Sequence, residues 1–337
     1  MKLTVVSVAV LAVIIFAVVI SNLRTATKKD IVPIAGTPLS LSDVSPGTYS
    51  KTTESDGQMR TYKIHIPTGY DPTVPTPLVF ILHGGMGNGG QILAGTKFAE
   101  KADAETFIVV APDGVDNNWN DGRGTTVQGN NDVINNDDVA FISNLIEEFK
   151  TVYTIDPARI YTAGISNGSM MSQRLACELP NVFAAIGAVA GPFRGDIADS
   201  CNSSVSVIGI QGTDDPFFPM EDGNGIPELP FILKRNNVVQ TVTSIEEVAQ
   251  IWVAGNSCDA IPIQTALPAV VDDGTSVTKY SYTGCTEGRN VEYYQVKGMG
   301  HSWPPATRSN AQSPGGPSSQ NINATDIIWD FFASHTK

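Results

Sequence analysis

Histidine, cysteine and tryptophan are scarce, with four of each in 337 residues. No Cys/His cluster has the spacing of a zinc site, so the sequence calls for no structural metal. Positive charge is thin as well: 21 Lys and Arg stand against 34 Asp and Glu, a formal charge of -13. The basic residues are scattered and form no stripe. A nucleic-acid surface needs clustered cations, so nucleic acid is excluded as a partner. The acidity reads as solubility. No internal repeat is visible, and no Pro/Gly/Ser linker splits the body of the chain.

What is present first is an apolar N-terminus. Lys2 precedes a run from Leu3 to Ile20 interrupted only by Thr4 and Ser7, and Arg24, Lys28 and Lys29 follow. The run is longer than the roughly 7–15 apolar residues of a secretory signal, and no Ala-x-Ala follows it. It approaches the roughly 20 residues of a membrane span. Residues 1–23 are therefore expected to be a signal peptide or an N-terminal membrane anchor. Either role leads to the export machinery and to a secreted or extracytoplasmic protein. Residues 24–45 are polar, carry Pro33 and Pro38, and read as a linker. The catalytic body is expected over 46–337. Four cysteines suit that route. Of three possible pairings, the two local closures, Cys177–Cys201 and Cys258–Cys285, are favoured. The second pair brackets a segment that reads as poor in strands.

From residue 46 onward strands and helices alternate. "TYKIHIP" (61–67) has period two and reads as an edge strand. "PLVFILHG" and "FIVVAPDG" are continuous apolar runs, as expected of strands buried on both faces. "NNDDVAFISNLIEEFKTVY" opens on capping residues and repeats Val139, Ile142, Ile146 and Phe149 at helical spacing. "RIYTAGIS", "FAAIGAVAG", "VSVIGIQG" and "NVEYYQVKG" are strands; "GSMMSQRLACEL", "SIEEVAQIWVAG" and "ATDIIWDFFASH" are helices. The pattern predicts one α/β domain with a mostly parallel central sheet and helices on both faces.

Two glycine clusters compete for attention. Gly85, Gly87 and Gly90 spell G-x-G-x-x-G after a strand, and Asp113 follows the next strand, as in a dinucleotide fold. The second cluster is Gly-Ile-Ser-Asn-Gly at 164–168. It sits between "RIYTA" and "SMMSQRL", the strand–turn–helix context of a nucleophile elbow that lifts the Ser166 hydroxyl into the open. A serine needs a base. The histidines are His65, His83, His301 and His335, and in the elbow-bearing hydrolases the base follows the nucleophile. His335 is two residues from the C-terminus, where fraying is expected. His301, in "YYQVKGMGHSWP", is the candidate. The acid should follow the strand "SVSVIGIQG", which offers Asp214 and Asp215, and spacing does not choose between them. The first cluster then takes a different meaning. "HGG" at 83–85 supplies a backbone N–H for a developing oxyanion, and Asn167, directly after the nucleophile, supplies another. Close backbone approach is the shared need of both glycine motifs, and His83 with the downstream elbow disfavours the nucleotide reading.

These residues resemble the extracellular esterases related to polyhydroxybutyrate depolymerases and feruloyl esterases, of the α/β-hydrolase fold. The resemblance runs from about Gly57 to Phe332. It is carried by "YKIHIPTGYD", "PLVFILHGG", "VVAPDG", "WNDGR", "DDVAFI", "GISNGSMMSQRLACELP", "GTDDPFFP", "GNSC" and "GMGHSWP". It implies Ser166 as nucleophile, His301 as base, Asp215 as acid, and Gly85 and Asn167 as oxyanion donors, with no cofactor. Gln211 stands where such proteins often have His.

The expected partner is an aromatic or hydroxyalkanoate ester, polymeric substrates such as synthetic aromatic polyesters included. Trp119, Phe217, Phe218 and Trp303 are candidate substrate contacts, and residues 217–240 a candidate rim. Asp138 and Arg123 read as structural partners of the loops. The expected activity is that of an exported serine carboxylesterase; an acetylxylan esterase, a serine peptidase or acyltransferase on the same fold, and a non-catalytic binding protein are the alternatives.

Overall fold

The computed structural model describes residues 44–124, 133, 135–192, 201–218, 220, 245–306 and 313–337. The expected signal or anchor at 1–23, nearly all of the linker, and most of the 217–240 rim lie outside these residues. Ten strands form one sheet: β1 (Gly47–Ser55), β2 (Gln58–Ile66), β3 (Thr76–Leu82), β4 (Ile108–Pro112), β5 (Ile155–Ile165), β6 (Ala185–Val189), β7 (Ser206–Gly212), β8 (Ile263–Ala266), β9 (Ser276–Tyr282) and β10 (Val291–Lys297). Their spatial order is β1-β2-β4-β3-β5-β6-β7-β10-β9-β8. The six strands from β4 to β10 run parallel, and antiparallel strands extend both ends.

Among the described residues the α-helices are α1 (Gly89–Thr96), α2 (Phe98–Glu105), α3 (Asp138–Val152), α4 (Asn167–Glu178), α5 (Ile245–Gly255) and α6 (Ala324–Ala333). They cover both faces of the sheet. Leu78, Phe80 and Leu82 of β3 pack with Ile142, Ile146 and Phe149 of α3 and Leu175 of α4. The alternate residues Val79 and Ile81 pack on the opposite side with Ile92 of α1, Phe98 of α2 and Phe332 of α6. Each such side chain, fully removed from water, stabilises the fold by about 1.5–3 kcal/mol. That two-sided burial explains why the central strands read as unbroken apolar runs. The α3 helix begins where the sequence predicts: Asp137 accepts a hydrogen bond from the Ala140 amide at 2.9 Å, and Val139, Ile142, Ile146 and Phe149 are all buried.

Three expectations are corrected. β2 is not an edge strand, because β1 pairs along its outer side from Gly47 to Ser55. β1 escapes the sequence reading because its inner and outer residues differ little in hydropathy. The segment between Cys258 and Cys285 is not poor in strands; it contains β8 and β9, with β8 fully exposed. His335 does not fray. It is buried, its Nε2 lies 2.8 Å from Asn290 Nδ2, and its carbonyl accepts the Tyr161 hydroxyl at 2.7 Å. Cys177–Cys201 and Cys258–Cys285 are both disulfide-bonded. Among the described residues no helix is long and apolar enough to cross a membrane.

Candidate active site

The parallel strands end along one edge of the sheet, where open α/β sheets bind their ligands. His83 directly follows β3 and Ser166 directly follows β5, while Asp215 and His301 lie shortly beyond the ends of β7 and β10.

Ser166 has φ 57° and ψ -122°, a conformation that L residues rarely adopt. Such a residue costs on the order of 1–3 kcal/mol and persists only where its surroundings hold it. Here the holders are glycines. A Cβ on Gly168 would lie 2.3 Å from the Leu82 carbonyl oxygen, and one on Gly164 would lie 2.4 Å from the Gly168 carbonyl. The elbow is thus wedged between β3 and β5. The Ser166 amide donates to Val189 O at 2.9 Å, which fixes the turn to β6.

Asp215 is fully buried and His301 partly so, and Asp215 Oδ2 lies 2.8 Å from His301 Nδ1. Asp214 is exposed and accepts the Thr213 hydroxyl. The structure therefore separates the two candidates that spacing left open: Asp215 faces the imidazole and Asp214 faces solvent. Among the described residues no hydrogen bond joins Ser166 Oγ to His301.

The glycine loop packs on the serine. A Cβ on Gly84 would sit 3.3 Å from Ser166 Cβ. His83 is buried, with Nδ1 2.8 Å from the Gly84 carbonyl oxygen and Nε2 accepting the Gly114 amide at 2.9 Å. Burial pushes this imidazole below its ordinary value, and the bond to Gly84 opposes that only in part. His83 is accordingly a neutral ring that donates through Nδ1. The Gly87 amide also donates to Gly84 O, at 3.0 Å. Because a trans peptide is planar, anchoring the Gly84 carbonyl from behind aims the Gly85 N–H the other way. Neither the Gly85 nor the Asn167 amide donates to another described residue. Asp113, the residue placed as in a dinucleotide fold, accepts the Gly89 amide at the start of α1 at 2.6 Å.

Trp119 and Trp303, two of the candidate substrate contacts, are both buried. Trp119 is 1% exposed. Its indole N–H donates to His83 O at 3.0 Å, and its ring centroid lies 4.9 Å from that of His83. Trp303 is buried, with its indole N–H on Thr325 Oγ1 at 3.0 Å. Both indoles tie neighbouring loops together, and Trp303 also lines a cavity with Pro304, Pro305 and Thr325. Phe217 differs: it is half-buried, and its ring meets His301 edge-on at 4.9 Å. Phe218 stands 5.8 Å from the same imidazole.

One functional cluster escapes the sequence reading. The Asn167 side chain accepts the Trp119 amide at 2.7 Å and donates to the Trp119 carbonyl at 3.0 Å. It also donates to Asp121 Oδ2 at 2.6 Å. Asp121 in turn is paired with Arg123 at 2.7 Å, both nearly buried. Arg123 is thus a structural partner of the loop, as is Asp138, which pairs with Arg60 at 2.7 Å. The "WNDGR" string hinted at this cluster, but no spacing rule links it to the elbow. Among the described residues no three His, Cys, Asp or Glu side chains group as metal ligands would.

A strained serine elbow, a backbone-amide loop and a buried carboxylate–imidazole pair thus share one sheet edge of an α/β-hydrolase fold. Residues 60–249 match the family described as esterase PHB depolymerase, and the chain belongs to that family. Feruloyl esterase C of Emericella nidulans is 28% identical over 297 residues, covering 86% of this chain and 90% of that protein. The bifunctional acetylxylan esterase/xylanase XynS20E of Neocallimastix patriciarum is 23% identical over 280 residues, covering 83% of this chain and 34% of that longer protein. Among solved structures, the acetyl xylan esterase from Aspergillus awamori superposes with a TM-score of 0.54 at 14% identity, covering 85% of this chain and 99% of that one, which establishes likeness of fold. The chain is a carboxylic ester hydrolase.

Proposed function

We propose that the protein is an exported serine esterase that cleaves esters of hydroxycinnamic acids such as ferulate through an acyl-enzyme. Ser166 attacks the ester carbonyl while His301 takes its proton. Asp215 holds the imidazole in the tautomer that leaves Nε2 free to accept, and stabilises the imidazolium that forms. The Gly85 and Asn167 amides receive the oxyanion; losing one such donor typically costs roughly 2.7–4 kcal/mol of transition-state stabilisation. His301 then returns the proton to the departing alcohol. Water repeats the sequence on the acyl-enzyme and releases the acid. The hydroxyl–imidazole bond closes on substrate binding, as catalytic hydrogen bonds often tighten only in the complex.

The observation that carries this reading is the 2.8 Å contact between buried Asp215 and His301, on the sheet edge that also bears the Ser166 elbow. The aromatic acyl group is supported by the feruloyl esterase relative and by Phe217 and Phe218 beside the imidazole. Export is supported by the two disulfides and by the apolar N-terminus. The test is hydrolysis of methyl ferulate, acetylxylan and hydroxybutyrate oligomers by the purified protein, with Ser166→Ala as control. Preferred cleavage of methyl ferulate supports the reading. Preference for acetylxylan or for the oligomers transfers the same chemistry to another acyl group, and activity surviving Ser166→Ala overturns the mechanism.

A further inference from the structure

Asp215 has no exposed surface, so its carboxylate depends on protein donors alone. Oδ1 accepts the amides of Phe217 at 2.8 Å and Phe218 at 3.0 Å. Oδ2 accepts His301 Nδ1 at 2.8 Å and Gln211 Nε2 at 3.2 Å. The Phe217 and Phe218 amides belong to the same turn as Asp215 and move with it. Gln211 is different. It lies in β7, opposite Gln295 of β10 and inside the parallel sheet. Its amide nitrogen also reaches Phe218 O at 3.3 Å. One NH2 group therefore ties both the carboxylate and the far end of its turn to a rigid strand.

We propose that Gln211 is a positioning residue for the Asp215–His301 pair. By pinning Oδ2 to β7 it fixes the plane of the carboxylate, and with it the direction in which the imidazole presents its other nitrogen. The amide is uncharged and does not compete with His301 for a proton. The titratable groups in this hydrogen-bond network are Asp215 and His301; Asp214, the neighbouring carboxylate, turns out to Thr213 Oγ1. The inference rests on the serine-esterase reading above.

Two variants test it, assayed as kcat and KM on a chromogenic short-chain ester between about pH 5 and 9. Gln211→Leu keeps the bulk and removes the donor. It is expected to lower kcat about 10-fold, the effect of one lost hydrogen bond to a charged group, with little change in KM. Gln211→Glu keeps the shape but donates only while protonated, and two carboxyl groups this close share a proton. It is expected to approach the wild-type rate at the acid side of the profile and to fall away as pH rises, adding a descending limb that Gln211→Leu lacks. A Gln211→Leu rate within about two-fold of wild type, or a Gln211→Glu profile that superimposes on the wild-type one, overturns the proposal. If Gln211→Leu fails to fold, the Gln211→Glu profile decides. Ser166→Ala separates the two levels: activity surviving that change sinks the esterase mechanism itself. Activity lost there but untouched by the Gln211 variants sinks only the role of Gln211.

Discussion

Asp215 Oδ2 meets His301 Nδ1 at 2.8 Å, while the adjacent Asp214 is turned to solvent. The two carboxylates should therefore respond very differently to neutralisation. Asp215→Asn is expected to lower kcat by about 10⁴, because the amide favours the wrong imidazole tautomer. Asp214→Asn should stay within about two-fold of wild type, in keeping with the small effects of surface changes. Steady-state kinetics on methyl ferulate with both variants provides the comparison, and equal losses would contradict the assignment.

The Asn167 side chain links the elbow to the backbone of Trp119. Asn167→Ala should leave the buried Trp119 amide without its acceptor, costing about 1–3 kcal/mol of stability. It should also loosen the donor that follows the nucleophile, so kcat falls more than KM rises. Arg123→Met leaves buried Asp121 without its cation, a change expected to cost about 3–5 kcal/mol. Urea unfolding monitored by tryptophan fluorescence measures both losses, and a midpoint unchanged by either variant contradicts the role of this cluster.

Burial holds His83 and His335 below the ordinary histidine value of 6.5. The unfolded chain therefore binds more protons than the folded one as pH falls below 6.5. Their contribution to stability is complete above that value and is lost on acidification. The urea midpoint is expected to fall between pH 7 and about pH 5, before most carboxylates titrate. His335→Asn should shallow the slope. A flat or rising midpoint across this window contradicts the neutral, buried state of both rings.

Each disulfide closes a local loop, with separations of 24 and 27 residues. In the chain-entropy model each stabilises the fold by roughly 3–4 kcal/mol. Replacing Cys258 and Cys285 by serine should lower the urea midpoint accordingly while kcat is largely kept, because that loop lies with β8 and β9 at the end of the sheet away from Ser166. Activity lost in the folded double variant would contradict this separation.

How far the sequence could be read depended on the kind of signal. The central strands were legible because burial on both faces leaves unbroken apolar runs, as in β3 and β4. The Ser166 elbow was legible because Gly164 and Gly168 stand where no side chain fits. The pairing of His301 with Asp215 was within reach because the chain has only four histidines. β1, β8 and β9 were missed because their exposed faces carry mixed residues and no strong period. The burial of Trp119 and Trp303 was not legible, because the sequence places an aromatic beside a motif without saying whether it faces in or out. The link from Asn167 to Asp121 and Arg123 was only hinted at by "WNDGR". It joins residues 46 positions apart, and such contacts are set by folding rather than by any local pattern.

The most direct test of the mechanism is the mass of the intact protein after exposure to a serine-directed organophosphate, followed by peptide mapping. A single adduct on Ser166, formed in the wild type and much slower in His301→Ala, is the predicted result. An adduct elsewhere, or no adduct from a preparation that hydrolyses ester, would contradict it.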